Sequence, residues 1–251
     1  METGSIPNAG VAFAVDFPDL PSARAAVLAV GDAVGMLKIG LELFIHAGPD
    51  ALHIAHEAGL PAFLDLKLHD IPETVERAVG RASALGARVL TVHASGGSVM
   101  LKRAVDRAAK DGGTMDIAAV TVLTSLDGAD LATMGVSVGI AAHAERLARM
   151  AQDQGVRSFV CSPHEAAALR AALGDEVRLI TPGVRSATSG PTRPADDQKR
   201  VMTATEAIES GADWVVVGRP IRDASDPRAA AQAIAREVSD AVAARAMRRR
   251  T

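Results

Sequence analysis

The stretch Phe63-Leu64-Asp65-Leu66-Lys67-Leu68-His69-Asp70-Ile71-Pro72 reads as a strand that closes on a proline. Successive strand side chains point to opposite faces, which puts Leu64, Leu66 and Leu68 on one side and Asp65 and Lys67 on the other. One face is apolar and the other carries an ion pair. Asp70 falls on the leucine side just before Ile71-Pro72, where proline biases its predecessor away from helix, so it is expected to aim elsewhere than Asp65. An ammonium between two carboxylates, with another lysine at Lys38, is costly to assemble in a pocket because each charge gives up water. Taken alone, Asp-x-Lys is equally well read as a structural salt bridge at a strand end, and the rest of the chain has to decide.

Outward from that stretch, short apolar or β-branched runs alternate with longer amphipathic ones. The strand candidates are 11–17, 36–41, 62–67, 88–94, 117–124, 158–162, 178–184 and 214–219, each followed by helical sequence. Pro21-Ser22, Pro72-Glu73-Thr74 and Pro163-His164-Glu165 mark helix starts, while Gly59, Gly86, Gly112, Gly155, Gly174 and Gly211 mark stops. Ile234, Val238 and Val242 repeat along one helix face, as do Ile140, Ala144, Leu147 and Ala151, and these stripes are core. Strand–helix cycles with no linker predict an α/β (β/α)₈ TIM barrel forming one domain over 1–251. The open doubly wound alternative lacks its G-x-G-x-x-G after the first strand.

In such a barrel, catalytic groups sit at the C-terminal strand ends. Asp16 ends the first candidate strand, Lys38 lies in the second, Asp65 and Lys67 in the third, His93 in the fourth, Thr124 ends the fifth and Arg219 ends the eighth. Convergence of these groups on one mouth favours an active site over a salt-bridge network. The segment 185–197, rich in Gly, Pro, Ser and Thr, is expected to be a lid. Arg185 and Gln198 at its ends, with Gly218 and Arg219 across the mouth, suit a phosphate: guanidinium forks bind it bidentately and glycine lets backbone N–H approach.

Composition removes several classes. Lys and Arg total 27 against 30 Asp and Glu, a net charge of −3, so there is no general basic field for nucleic acid. Aromatics are 2% with no Tyr, which argues against base-stacking platforms. Cys161 is the only cysteine, excluding an internal disulfide and a cysteine-based zinc site, and it reads as core. The start lacks the basic and apolar regions of a signal peptide and no apolar run spans a bilayer, so a cytoplasmic protein with no membrane partner is expected. His53, His56 and Glu57 are read as helix surface, His69 and His93 as packing histidines, Arg193 and Arg222 as solvated charges, and the arginines of 245–250 as a frayed tail.

The run Asp65-Leu-Lys67-Leu-His-Asp70-Ile71-Pro72 resembles the Asp-x-Lys-x-x-Asp-Ile-Pro signature of the orotidine 5'-phosphate decarboxylase family. Ala14-Val15-Asp16, Lys38-Ile39-Gly40, Thr91-Val92-His93-Ala94, Val120 to Ser125, Thr181 to Arg185 and Val217-Gly218-Arg219-Pro220 extend the resemblance over nearly the whole chain. It implies decarboxylation of orotidine 5'-phosphate to uridine 5'-phosphate with no metal or organic cofactor. It further implies Lys67 as the acid that protonates C6 and Asp65 beside the departing carboxylate. Lys38 is then paired with Asp65 and on the ribose, Asp16 is on the ribose hydroxyls, Thr124 on the pyrimidine, and Arg185, Gln198, Gly218 and Arg219 are on the phosphate. Asp70 is expected to reach the neighbouring subunit's site in a homodimer, and Ile71 and Thr74 are taken as substrate contacts.

The sequence leaves two rival readings. One is a Mg²⁺-dependent sugar-phosphate decarboxylase or aldolase of the same superfamily, against which Lys38 speaks because an ammonium repels the cation. The other is a non-catalytic phosphonucleotide-binding barrel, which gains little from charges it must desolvate.

Overall fold

The computed structural model describes residues 10–185 and 202–248. Its strands are β1 (Gly10–Ala14), β2 (Met36–Ile39), β3 (Ala62–Leu68), β4 (Val89–His93), β5 (Asp116–Val120), β6 (Ser158–Val160), β7 (Arg178–Thr181), β8 (Val184–Arg185), β9 (Met202–Thr203) and β10 (Trp214–Val217). Strands β1 to β7 and β10 close into an all-parallel barrel in sequence order, β10 lying between β7 and β1. The α-helices are α1 (Leu20–Val30), α2 (Leu41–Ala47), α3 (Asp50–Glu57), α4 (Pro72–Ala84), α5 (Ser98–Lys110), α6 (Gly128–Thr133), α7 (Ile140–Asp153), α8 (Pro163–Leu173), α9 (Ala204–Glu209), α10 (Arg219–Arg222) and α11 (Pro227–Arg248). The expected (β/α)₈ barrel is thus the fold observed. Every predicted strand is present, and the six predicted stop glycines all have positive φ, between 67° and 110°.

A strand buried on both faces needs apolar residues in both parities. Ala12, Ala14, Met36, Phe63, Val89, Ala118, Ile180, Trp214 and Val216 fill the barrel interior. Their neighbours Val11, Phe13, Leu37, Ile39, Leu64, Leu90, Val92, Leu179, Val215 and Val217 pack outward with the helices. Trp214 is fully buried, and a Cβ at Gly35 would stand 2.9 Å from its ring, one at Gly10 3.1 Å. Those glycines make room for the indole.

The far end of the barrel is tied by charge. Asp213 accepts from Arg170 Nη2 of α8 at 2.5 Å, from the Leu179 N–H at 2.9 Å and from Arg245 Nη2 of α11 at 2.9 Å. Arg245 also donates to the carbonyls of Ile208 and Ala212. The reading of the basic tail as frayed is therefore corrected: α11 runs on through Arg248, and Arg245 clamps it to the barrel because a guanidinium has five donors to place.

Strands β8 and β9 form a separate parallel pair, Val184 opposite Met202 and Arg185 opposite Thr203. The expected lid, Gln198 and Arg193 lie outside the described residues, and only the backbone of Arg185 is described.

Candidate active site

The inner wall changes character along its length. Above the apolar layer of Ala14, Met36, Phe63 and Val89, the next inward residues of the same strands are Asp16, Lys38, Asp65 and Thr91, with His93 beyond. Strand periodicity therefore delivers four polar side chains to one mouth. Lys38 Nζ lies 3.0 Å from Asp16 Oδ1 and 3.6 Å from Asp65 Oδ2, and Lys67 Nζ lies 2.8 Å from Asp65 Oδ2. The order Asp16, Lys38, Asp65, Lys67 alternates in sign, so each charge that loses water gains an opposite neighbour. Side-chain exposure is 11% at Lys38, 12% at Asp65, 29% at Lys67 and 43% at Asp16, which leaves Lys67 facing the opening while Asp65 is shut in. A Cβ at Gly40 would stand 2.8 Å from Asp16 Oδ1 and 3.1 Å from Lys38 Nζ, so glycine there gives that pair its space.

Burial works to raise the Asp65 carboxyl, but the ammoniums of Lys38 and Lys67, with hydrogen bonds from Lys67 and Thr91, hold it below the usual carboxylate range. Asp65 is an anion at neutral pH.

The opening stretch keeps the sides expected of it: Leu66 and Leu68 pack with Leu64 against the outer core, and Lys67 stands with Asp65 at the mouth. The ladder is nevertheless irregular: Leu64 pairs with Leu90 and Leu68 with Val92, so β3 bulges against β4. Lys67 sits in the bulge at φ 49°, in left-handed backbone. Lys67 thus reaches the mouth beside Asp65 from an irregular part of β3.

Thr91 was assigned no role from sequence. It is fully buried on β4, accepts from the Lys67 N–H at 2.8 Å and donates to Asp65 Oδ1 at 3.0 Å. Its place two residues before His93, in inward parity, was the available signal. His69 and His93 face each other with ring centroids 5.4 Å apart. Burial first, then His69 and Lys67, push the His93 imidazole below its ordinary value, against a weaker opposing pull from Asp65. A histidine so depressed binds its proton more readily unfolded, so it leaves stability untouched above about pH 6.5 and lowers it as pH falls below that. Urea midpoints measured against pH should therefore decline below about pH 6.5 less steeply in His93→Gln than in the parent. Identical slopes would contradict this.

The remaining expected residues are placed less tightly. Asp70 is exposed in the bend after β3, accepting the Ile71 N–H at 2.6 Å, and does not join the array of its own chain. Ile71 is 66% exposed and Thr74 is half-buried in the first turn of α4. Three strand assignments overshoot: Asp16 follows β1, Thr124 is half-buried in a turn after β5, and exposed Arg219 opens α10 after Gly218 turns the chain at φ −111°, ψ −92°. Arg222 is not simply solvated; it pairs with Asp223 at 2.7 Å and donates to the Asp16 carbonyl at 3.3 Å, bracing the segment that carries Asp16. Cys161 is buried, as expected. His53 pairs with Asp50 at 3.4 Å on the outer helix α3. Among the described residues no three His, Cys, Asp or Glu side chains gather to hold a metal ion, and no helix is long and apolar enough to cross a membrane.

Known proteins resemble this chain in sequence and fold. The family model described as Orotidine 5'-phosphate decarboxylase / HUMPS family matches residues 10–234. The orotidine 5'-phosphate decarboxylase of Anaeromyxobacter sp. (strain K) is 51% identical over 229 residues, covering 91% of this chain and 98% of the relative. That of Thermobifida fusca (strain YX) is 47% identical over 233 residues, covering 92% and 96%. The crystal structure of orotidine 5'-phosphate decarboxylase from Lactobacillus acidophilus superposes with a TM-score of 0.80 at 36% identity, covering 92% of this chain and 99% of that one. With the family model matching residues 10–234, the chain belongs to the orotidine 5'-phosphate decarboxylase / HUMPS family.

Proposed function

We propose that this chain is a cytoplasmic homodimer that decarboxylates orotidine 5'-phosphate to uridine 5'-phosphate in pyrimidine biosynthesis, with Lys67 protonating C6. The observation that carries the reading is the alternating array of Asp16, Lys38, Asp65 and Lys67 at the mouth. Breaking the C6–carboxylate bond releases CO₂ and leaves the electron pair on C6 with no conjugated sink. Stabilisation must then come from a positive charge already in place. The Lys67 ammonium meets that need and transfers its proton to C6, after which solvent restores it. Anionic Asp65 faces the departing carboxylate, Lys38 and Asp16 take the ribose, and Thr124 reads the pyrimidine. Arg185, Gln198, Gly218 and Arg219 take the phosphate, and closure of 185–197 over it positions the ring and excludes water.

The Mg²⁺-dependent alternative is disfavoured by Lys38, whose ammonium lies between the Asp16 and Asp65 carboxylates where a divalent cation would have to sit.

Asp70 and Ile71 project from the mouth of one chain, and we assign them to the site of a second copy. An exposed isoleucine beside an exposed carboxylate that stands outside the charged array of its own chain suits such a contact. Mixing subunits tests it. Lys67→Ala and Asp70→Asn homodimers should each be inactive, whereas exchange between them rebuilds one native site per mixed dimer, about a quarter of parental activity for random pairing. No recovery on mixing would place Asp70 in its own chain's site or in none.

A further inference from the structure

Among the described residues, Lys67 is the only non-glycine with positive φ, at 49°. Left-handed backbone is unfavourable for a side chain with a Cβ and persists where surroundings over-determine it. Three hydrogen bonds close a ring there: Lys67 N–H to Thr91 Oγ1 at 2.8 Å, Thr91 hydroxyl to Asp65 Oδ1 at 3.0 Å, and Lys67 Nζ to Asp65 Oδ2 at 2.8 Å. Thr91 is fully buried on β4, across the register shift that forms the bulge.

We propose that Thr91 is a positioning residue for the reaction: its hydroxyl holds the left-handed bulge that presents Lys67 and fixes the plane of the Asp65 carboxylate beside it. This rests on the reading of Lys67 as proton donor. A backbone N–H only donates and a carboxylate only accepts, so the link between them must do both, and a hydroxyl is the small uncharged group that does. The β-branched methyl keeps the residue fitted to the strand wall. Valine there would match the shape but leave the Lys67 N–H buried and unpaired, and it would take a donor from Asp65. The proton donor and its neighbouring anion would then lose their common reference while the phosphate and ribose groups stay in place. The effect should therefore fall on kcat and spare KM.

The test compares Thr91→Val, Thr91→Ser and Thr91→Ala with the parent. Thr91→Val should lower kcat by roughly ten- to a hundredfold with KM little changed. Thr91→Ser, which keeps the hydroxyl, should recover most of that loss. Unchanged kcat in Thr91→Val overturns the proposal. If valine prevents folding, serine and alanine decide, since both lack the methyl and differ only in the hydroxyl; equal kcat in those two overturns it. Hydrogen exchange at the Lys67 amide gives a readout independent of turnover: slow in the parent and in Thr91→Ser, faster in Thr91→Val. A parent inactive on orotidine 5'-phosphate would remove the decarboxylase reading, and unaltered exchange would remove the positioning role, so the two failures are told apart.

Discussion

Replacing Lys67 with alanine should lower kcat/KM for orotidine 5'-phosphate by about 10⁴-fold or more while leaving a folded protein that still binds uridine 5'-phosphate. The size follows from losing two functions in one atom. Nζ supplies the proton, and general acid catalysis alone is worth about 10²–10⁴. It also supplies the fixed charge opposite the developing carbanion, and removing one preorganised donor of that kind costs about 10²–10³. Folding should survive because Asp65 keeps Lys38 at 3.6 Å and the Thr91 hydroxyl at 3.0 Å. Product binding should survive because the ribose and phosphate groups assigned above are untouched. Turnover within tenfold of the parent would contradict the role given to Lys67.

The largest effect on stability should come from the opposite end of the barrel. Asp213→Ala strips the partner from two largely buried guanidiniums, Arg170 and Arg245, and from the Leu179 N–H. Breaking a buried pair by removing one partner costs about 3–5 kcal/mol, since the charges left behind have neither water nor counterion. For a chain of this size that lowers Tm by roughly 6–20 °C. Arg248→Ala, which removes the exposed pair with Glu209, is the control and should stay within about 1 kcal/mol. Calorimetry or urea unfolding of both variants checks the contrast. Equal, small effects would mean that Asp213 does not anchor α8 and α11 to the barrel.

How much of this is legible in the sequence differs from residue to residue. Barrel closure was readable because the barrel strands are apolar in both parities and six of the helices stop at a glycine that takes positive φ. Asp16, Lys38, Asp65 and Lys67 were readable because charge in a buried strand is expensive and these four fall at the same strand ends. The bulge at Lys67 was not, since no glycine or proline marks it and the left-handed turn is held by a side chain from the next strand. Thr91 was hidden for a related reason: its inward parity before His93 marks it only as a polar, β-branched wall residue, and contact with Lys67 and Asp65 is what gives it a role. Strand ends at Asp16 and Thr124 were overshot because the chain stays apolar past the last strand residue, Val15 and Val122 being buried, and Arg219 because only Gly218 separates it from β10. Arg245 was misjudged because a run of arginines near the end of a chain carries no sign of the carboxylate waiting at Asp213.

The most direct test of the central claim follows the ultraviolet absorbance of orotidine 5'-phosphate incubated with the purified protein in EDTA, with the product identified by chromatography. Loss of the substrate signal and appearance of uridine 5'-phosphate with the chelator present is the result expected of a cofactor-free site built on Lys67. An unchanged signal in EDTA, with turnover of a sugar phosphate on adding Mg²⁺, would contradict it and return the barrel to metal-dependent chemistry.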